Sequence, residues 1–402
     1  MEEKKRITRD AVPDNFTVKL ALFDGVPVIF FALATICLGI FLKSPAFVIG
    51  AFISAFAGIF KVIWKLIVAI KGKNIWWMFT QFRLLMPIGF ILMILGVFLG
   101  RSYMTPKEII SWFTGFPVNI FFGLGLVSLI LMLVLAFTLD NSSPKANWIE
   151  QAVNGLGQFF IFLGALMLVY LGNYYNSLMT LSEYAEEYSA DINIEETDDY
   201  YIVSANGSAG ERALLFFPGA KVEASAYIPL MKAIVTREGS KTACFVVKPS
   251  YNFSFFGSSI ADEIIKDYGG KYLKWYIGGH SLGGVEASQY VSDHAGEFDG
   301  LILMASYSAT DLTRTENQTD ENIRVLSILA SNDRILSLEE AEKNNANLPE
   351  DAATYVIEGG NHGQFGDYGT QDKDGIADIT KEEQWEEIAG QIRQFMDEDQ
   401  NG

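Results

Sequence analysis

Ser281 lies in the pentapeptide Gly-His-Ser-Leu-Gly at 279–283, which matches the pattern G-x-S-x-G. An apolar run precedes this pentapeptide and a helix-like segment follows it, so the pattern has the strand–turn–helix setting that it requires. Side chains at Gly279 and Gly283 would crowd the strained turn at the serine. A helix that begins at Leu282 would direct its partial positive end towards negative charge beside Ser281. These features indicate that Ser281 is a nucleophile.

A serine hydroxyl needs a neighbouring base, and the base needs a third group that fixes its tautomer. The chain has three histidines, all of them after residue 173. We expect His280 to point away from the nucleophile into supporting structure, and His294 to be solvated at a helix end. His362 follows a strand-like run and a Gly-Gly pair, which places it on a loop at the C-terminal end of the last strand. We predict that His362 is the general base.

The orienting acid is expected between the serine and the histidine in the chain. Asp333 ends a strand-like run, 52 residues after Ser281 and 29 residues before His362, which leaves room for one strand–helix unit on each side. Asp311 also follows a strand-like run and is the second candidate. Its neighbours resemble a turn or a helix start, where an aspartate commonly caps. We therefore predict Asp333 as the acid.

Acyl transfer develops negative charge on a carbonyl oxygen, which two backbone N–H groups typically bind. We expect one donor from Leu282, the residue after the nucleophile. The second should come from the loop after an early strand, where Gly219 lets the backbone turn. Ala220 is the predicted second donor, with Lys221 as the neighbour that could serve instead. A plain Pro-Gly turn without a catalytic role is the alternative interpretation.

Strand-like apolar runs alternate with helical patterns after residue 200. The runs lie near 200–204, 213–217, 243–248, 275–278, 301–305, 325–330 and 353–357, and the helical patterns near 224–238, 257–268, 282–293 and 382–396. Runs such as Ala213–Phe217 are continuously apolar, as strands buried on both faces are. This alternation predicts an α/β domain over 201–402 with a doubly wound, mostly parallel sheet. Ligands bind beyond the carboxyl ends of such strands, where all the motifs above fall.

Four segments together carry a family likeness. They are Phe-Phe-Pro-Gly-Ala-Lys-Val at 216–222, Gly-Gly-His-Ser-Leu-Gly-Gly at 278–284, Ser-Asn-Asp-Arg at 331–334, and Gly-Gly-Asn-His-Gly-Gln-Phe-Gly-Asp-Tyr-Gly at 359–369. In this order they resemble bacterial α/β-hydrolases of the dienelactone-hydrolase-like group. The resemblance implies an eight-stranded sheet and esterase-type activity. Dienelactone hydrolases proper use a cysteine nucleophile, whereas this chain has Ser281, which argues against that particular substrate.

Residues 1–173 are strongly apolar and contain five stretches long enough to cross a bilayer. These stretches are 24–42, 46–68, 84–101, 117–139 and 155–173. Basic residues concentrate on one side of them, which predicts a cytoplasmic N-terminus and an extracytoplasmic soluble domain at the cell membrane. The residues that set this orientation are Lys4, Lys5, Arg6, Arg9, Lys19, Lys61, Lys65, Lys71, Lys73 and Arg83, against Lys43, Arg101 and Lys107 on the other side.

No span has Asp, Glu or His at its centre, which favours an anchor over an ion-coupled carrier. A transport or lipid-binding role of this half stays open as the alternative. An acidic segment, 174–200, is interpreted as a connector between the membrane half and the soluble domain.

Charge is distributed unequally between the two halves. Residues 1–173 have 14 Lys and Arg against eight Asp and Glu, and residues 174–402 have 16 against 40, so the net charges are +6 and −24. A domain with a net charge of −24 repels nucleic acid phosphates, so a nucleic acid partner is not expected. No Cys/His cluster has zinc spacing. The segment 370–381 resembles part of a calcium loop, but Thr370 and Lys381 occupy positions that need carboxylates, so an acidic surface loop is the better interpretation.

The sequence therefore predicts a membrane-anchored serine hydrolase that acts on a small or amphiphilic ester and needs no cofactor or metal. Only about 20 residues separate the strand-like runs near Ala305 and Val325, so no sizeable cap domain is expected over the site. Two other classes stay open. One is a catalytically idle hydrolase fold that binds or senses a ligand, and the other is a membrane transporter with an accessory hydrolase domain.

Overall fold

The computed structural model describes residues 17–99, 106–139, 144–208, 210–238, 240–313 and 323–398. The chain divides into two compact units, with the boundary between Asn173 and Tyr174. Five of the basic residues used above to orient the chain, Lys4, Lys5, Arg6, Arg9 and Arg101, lie outside the described residues.

The first unit is helical. Its helices are α1 (Val18–Phe23), α2 (Gly25–Leu42), α3 (Pro45–Lys71), α4 (Trp76–Leu99), α5 (Pro106–Thr114), α6 (Val118–Thr138) and α7 (Pro144–Gly172). Five helical segments in the described residues are long and apolar enough to cross a membrane, which confirms the predicted helical region with five candidate spans. Two helices begin earlier than their apolar runs, α4 at Trp76 and α7 at Pro144. Polar side chains interrupted both runs, but a helix continues through them because its hydrogen bonds join backbone groups.

Small residues bring α3 and α4 into close contact. A Cβ added at Gly50 would lie 2.5 Å from the Gly89 carbonyl oxygen and 2.7 Å from the Met93 nitrogen, so only glycine fits there. Ser44 caps the start of α3, and its hydroxyl also donates to the Gly96 carbonyl at 2.8 Å. Close backbone approach at small residues is the usual way in which membrane helices associate.

The second unit contains an eight-stranded sheet. Its strands are β1 (Ile192–Glu196), β2 (Tyr200–Ala205), β3 (Arg212–Phe217), β4 (Thr242–Val247), β5 (Lys274–His280), β6 (Gly300–Met304), β7 (Arg324–Ala330) and β8 (Ala353–Ile357). Their order in the sheet is β1-β2-β4-β3-β5-β6-β7-β8. The strands from β3 to β8 are parallel, whereas β2 is antiparallel to both of its neighbours. The predicted doubly wound, mostly parallel sheet is confirmed.

Helices cover both faces of this sheet. They are α8 (Leu181–Glu187), α9 (Ile228–Thr236), α10 (Ser258–Tyr268), α11 (Leu282–Asp293), α12 (Leu338–Asn344) and α13 (Lys381–Glu398). Alternate side chains of β3 enter two separate cores. Leu214 and Phe216 pack with α9 and α13, and Leu215 and Phe217 pack with α10 and α11. This alternation explains why β3 is continuously apolar from Ala213 to Phe217.

The acidic stretch 174–200, interpreted from the sequence as a connector, contributes α8 and β1 to the second unit. In β1, Ile192 is buried while Asn193 and Glu195 are exposed, so one face of this edge strand packs and the other meets water. Tyr184 on α8 is completely buried, and its hydroxyl donates to Asp367 Oδ2 at 2.7 Å and contacts Ser177 Oγ at 2.8 Å. The acidic composition of this stretch concealed the packing, because in β1 only alternate residues are apolar.

The buried Tyr184 hydroxyl should stabilise the second unit. Replacing Tyr184 by Phe leaves the buried Asp367 carboxylate with one donor fewer, so we expect a loss of about 1–3 kcal/mol in the free energy of unfolding. The measurement is the rate at which buried Cys244 reacts with a thiol reagent in increasing urea, in the full chain with Cys37 replaced by Ala. Tyr188→Phe is the matched control, since its hydroxyl has no hydrogen bond within the described residues. Equal urea dependence in the two variants would contradict the expectation.

Candidate active site

Ser281 occupies the turn between β5 and α11. Its backbone has φ 52° and ψ −124°, a conformation that non-glycine residues rarely adopt. Hydrogen bonds to a neighbouring strand and loop help to hold this turn. The Ser281 amide donates to the Met304 carbonyl at 2.9 Å, and the Ser306 hydroxyl donates to the Ser281 carbonyl at 2.6 Å. The Ser281 residue is partly exposed, and among the described residues its hydroxyl has no hydrogen-bond partner. The Ser281 hydroxyl is therefore not held by another described side chain, that of His362 included.

The glycines of the motif are required by close packing. A Cβ at Gly279 would overlap the backbone of Gly283, and a Cβ at Gly283 would overlap the carbonyl oxygens of Phe217 and Pro218. The turn is thus pressed against the carboxyl end of β3. The Leu282 amide, the first of α11, has no acceptor within the described part of the chain, and it lies at the positive end of the helix.

Asp333 and His362 form a buried pair. Asp333 follows β7 and His362 follows β8, and His362 Nδ1 lies 2.7 Å from Asp333 Oδ2 with both side chains 1% exposed. The other carboxylate oxygen, Oδ1, accepts from the amides of Ile335 at 2.7 Å and Leu336 at 2.8 Å. A carboxylate held in this way accepts the Nδ1 proton, which leaves Nε2 of His362 free of its proton in the neutral ring.

His280 is buried beside His362, as its position before the nucleophile predicts. The two ring centroids are 4.6 Å apart, and the other face of His280 stacks on Phe365 at 5.2 Å. Nδ1 of His280 lies 2.8 Å from the Tyr227 hydroxyl. Burial, and then the neighbouring His362, hold the pKa of His280 well below its usual value, so its ring stays neutral.

Hydrogen bonds in the loop after β3 distinguish the two candidates for the second oxyanion donor, Ala220 and Lys221. The Gly219 amide donates to the Tyr227 hydroxyl at 2.9 Å, and the Lys221 amide donates to the Asn252 carbonyl at 2.6 Å. The amide of Ala220, between them, has no acceptor among the described residues. Of the two candidates, Ala220 is therefore the one whose N–H is available to a ligand.

The rival acid and the third histidine lie in other surroundings. Asp311 is exposed, and its Oδ1 accepts from the amide of Thr313 at 2.9 Å, which is the turn-capping arrangement expected from its neighbours. His294 directly follows α11, and its ring stacks on Tyr290. Its Nε2 lies 3.5 Å from Asp262 Oδ1. Neither residue is within the hydrogen-bonded group around Asp333 and His362.

Asp374 is a member of the site that the sequence did not single out. Its Oδ2 accepts from the Gly363 amide at 2.7 Å, and its Oδ1 accepts from the amides of Gly375 at 2.7 Å and His362 at 3.4 Å. Asn361 donates to the Gly375 carbonyl at 2.7 Å. The loop that resembled part of a calcium site thus holds the His362 backbone. Among the described residues, no group of three His, Cys, Asp or Glu side chains could hold a metal ion.

Comparison with known proteins places this fold in a family. Residues 213–386 match the model described as the alpha/beta hydrolase family. No curated protein matches the chain. Similar solved structures include carboxyl esterase 2 of the mycorrhizal fungus Tuber melanosporum (12% identity, 56% of this chain and 91% of that one, TM-score 0.40) and Est1E of Butyrivibrio proteoclasticus (11%, 53% and 100%, TM-score 0.38).

A hydrolase from Thermoplasma acidophilum, described as predicted and CIB-like, is also similar (12% identity, 50% of this chain and 99% of that one, TM-score 0.38). Structures at this distance carry no information on the substrate. The family match covers the strands from β3 to β8 and every site residue described above. Residues 213–386 therefore form a domain of the α/β-hydrolase family.

Proposed function

We propose that this protein is a membrane-anchored serine hydrolase that cleaves a carboxylic ester through an acyl-enzyme. The observation that carries the proposal is the buried pair of Asp333 and His362, 2.7 Å apart, beside the turn that holds Ser281 in a strained conformation. A nucleophile, a base and an orienting acid are the three groups that acyl transfer needs.

In the first half-reaction, Ser281 Oγ attacks the ester carbonyl carbon while Nε2 of His362 takes the hydroxyl proton. Asp333 stabilises the resulting imidazolium and keeps its ring oriented. The carbonyl oxygen becomes an oxyanion, which accepts hydrogen bonds from the amides of Leu282 and Ala220. The C–O bond to the leaving group then breaks, and His362 returns the proton to the departing alkoxide. An alcohol leaves and the acyl group stays on Ser281.

In the second half-reaction, His362 takes a proton from water as the water oxygen attacks the acyl carbon. The same two amides bind the oxyanion. The bond to Ser281 Oγ breaks, the serine oxygen recovers its proton from His362, and a carboxylic acid leaves. Each group returns to its initial state, so the cycle uses only ester and water.

The surroundings of the site bear on its substrates. The interval between the end of β6 at Met304 and the start of β7 at Arg324 is too short for a cap domain, and part of it lies outside the described residues. We propose an uncapped site that accepts esters of varied shape. The net charge of −24 over residues 174–402 favours neutral or cationic substrates over anionic ones. With five spans and a cytoplasmic N-terminus, the domain would lie outside the cell membrane.

Covalent labelling tests the nucleophile. A fluorophosphonate probe should label the native chain and should not label Ser281→Ala, because only an activated serine attacks phosphorus at a useful rate. Ser259→Ala, which removes an exposed serine on α10, is the matched control and should label like the native chain. A native chain that resists the probe would indicate an idle binding module instead.

Two aspartate substitutions separate the predicted acid from its rival. In Asp333→Asn, the amide oxygen can still accept backbone hydrogen bonds, but the charge that holds the imidazolium is gone, so we expect kcat to fall by about 10²–10⁴-fold. In Asp311→Asn, on the exposed turn, kcat should change by less than about twofold. The measurement is kcat on a soluble p-nitrophenyl ester. The opposite ranking would assign the acid to Asp311.

The pH dependence tests His362 as the single base. Protonation of Nε2 removes the proton acceptor, so kcat/KM should fall on the acid side by about tenfold per pH unit. His280 should add no second step, because burial and the neighbouring His362 hold its pKa well below the usual value of a histidine. The measurement is kcat/KM for an uncharged ester, corrected with Ser281→Ala. A rate that stays flat down to about pH 4 would exclude His362 as the base.

A further inference from the structure

A partly open cavity of about 190 Å³ lies in the helical unit, between α2, α3, α4 and α7. This volume corresponds to roughly six water molecules. Its walls are not those of an ordinary packing defect, because charged and amide side chains line it together with aromatic ones. The polar members are Asp24, Ser54, Lys61, Lys65, Gln151, Asn154 and Gln158. None of these residues has a part in the proposed ester hydrolysis.

The charged groups of the cavity do not cancel. Lys65 forms an ion pair with Asp24, and both side chains are largely buried, at 12% and 6% exposure. Lys61 forms no ion pair within the described part of the chain, although Asp24 lies close enough to act on its charge, and the Lys61 ammonium is 4.2 Å from the centroid of the Phe82 ring. Among the described residues that line the cavity, two lysines and one aspartate are charged, so the lining has a net charge of +1. An unpaired cation in a membrane helix is costly, and such groups mark binding sites or pathways.

Several polar groups of the cavity have no partner. The side-chain amides of Gln151, Asn154 and Gln158 recur on one face of α7, and no hydrogen bond is made by them among the described residues. Asp24 Oδ1 and Ser54 Oγ are also buried without a hydrogen bond. The three amide side chains are half-buried, whereas the Asp24 and Ser54 oxygens are fully buried. Buried polar groups in folded proteins are nearly always hydrogen-bonded, so these two oxygens point to a ligand that supplies their partners, and the amides add further donors beside it.

The cavity has a charged part and an apolar part. Lys65 marks the charged part, and Ser54 marks the other end of the wall that α3 forms. The two residues are separated along the axis of α3 by about 16 Å. Apolar side chains from two other helices, including Phe31 and Phe90, complete the walls. A ligand that matches this lining has an anionic group at one end and hydrocarbon at the other.

We propose that this cavity binds the head group of an anionic amphiphile, a carboxylate or phosphate carried on an alkyl chain. Lys61 pairs with the anion, and the amides of Gln151 and Asn154 donate to its remaining oxygens. Asp24 Oδ1 accepts from a hydroxyl of the head group or from a bound water. A cationic head group is disfavoured by the net charge of the site. The membrane unit is then a lipid-binding module as well as an anchor.

Equilibrium binding to the full chain in phosphatidylcholine nanodiscs tests this proposal. Radiolabelled laurate and dodecyl phosphate are the two anionic probes, and protein-free nanodiscs give the partitioning background. We expect saturable binding of at least one probe, and the preferred probe identifies the head group as carboxylate or phosphate. Dodecyltrimethylammonium, acetate and inorganic phosphate should bind at least about tenfold more weakly, because each lacks either the anion or the chain.

Substitutions locate the binding in the cavity. Lys61→Met keeps the side-chain length and removes the charge, so binding of the preferred probe should weaken by about tenfold or more, and Lys61→Arg should restore it. Lys71→Met, which removes an exposed lysine from the same helix, is the matched control and should bind like the native chain. Asn154→Asp gives an independent measurement if Lys61→Met does not fold, since a new carboxylate should repel the anion to a similar extent.

Three results would overturn the proposal. They are the absence of saturable binding by the native chain, equal affinity in Lys61→Met or in a folded Asn154→Asp, and inorganic phosphate binding as tightly as dodecyl phosphate. Each measurement is independent of the ester chemistry at Ser281, because none of them uses hydrolysis as its readout.

Discussion

The backbone of Ser281 is the constraint on which the second unit depends. A non-glycine residue at φ 52° is unfavourable by itself, so the surrounding structure has to hold it. The hold comes from the start of α11 pressing against the end of β3, which is possible only because a Cβ is missing at Gly283. The same contact positions the start of α11, which carries the Leu282 amide, and the chain after β3, which carries the Ala220 amide. Strain at the Ser281 backbone and the two amides without an acceptor among the described residues therefore have one structural cause.

Sequence patterns predicted those parts of the fold whose signals are local. Continuous apolar runs identified seven strands, and the glycine pattern identified the turn at Ser281. The edge strand β1 was missed, because it is half solvated and lies in an acidic segment. The polar helix α12 was missed for the same reason. The contact between Asp374 and the His362 loop could not be predicted, since it joins residues through a loop conformation that no local pattern specifies.

The membrane unit shows a different limit of prediction. Hydropathy located the apolar centres of the spans but started the last one at residue 155, whereas α7 begins at Pro144. This difference left Gln151 and Asn154 outside the span, so the polar face of α7 was not recognised. Lys61 was counted among the basic residues that set the orientation. Its place in the cavity could not be predicted, because the residues around it come from other helices. An intramembrane site is a property of several helices, and no single span reveals it.

The two neighbouring imidazoles of the site have opposite environments, and this difference bears on the proposed reaction. His362 faces the carboxylate of Asp333, which stabilises a positive ring, whereas His280 faces the Tyr227 hydroxyl and the ring of Phe365. Burial and the proximity of His362 lower the pKa of His280 further. In the proposed reaction, a proton taken from Ser281 is therefore held on His362 and is not passed to His280. Because the leaving alkoxide must recover that proton, keeping it on one ring makes the return step direct.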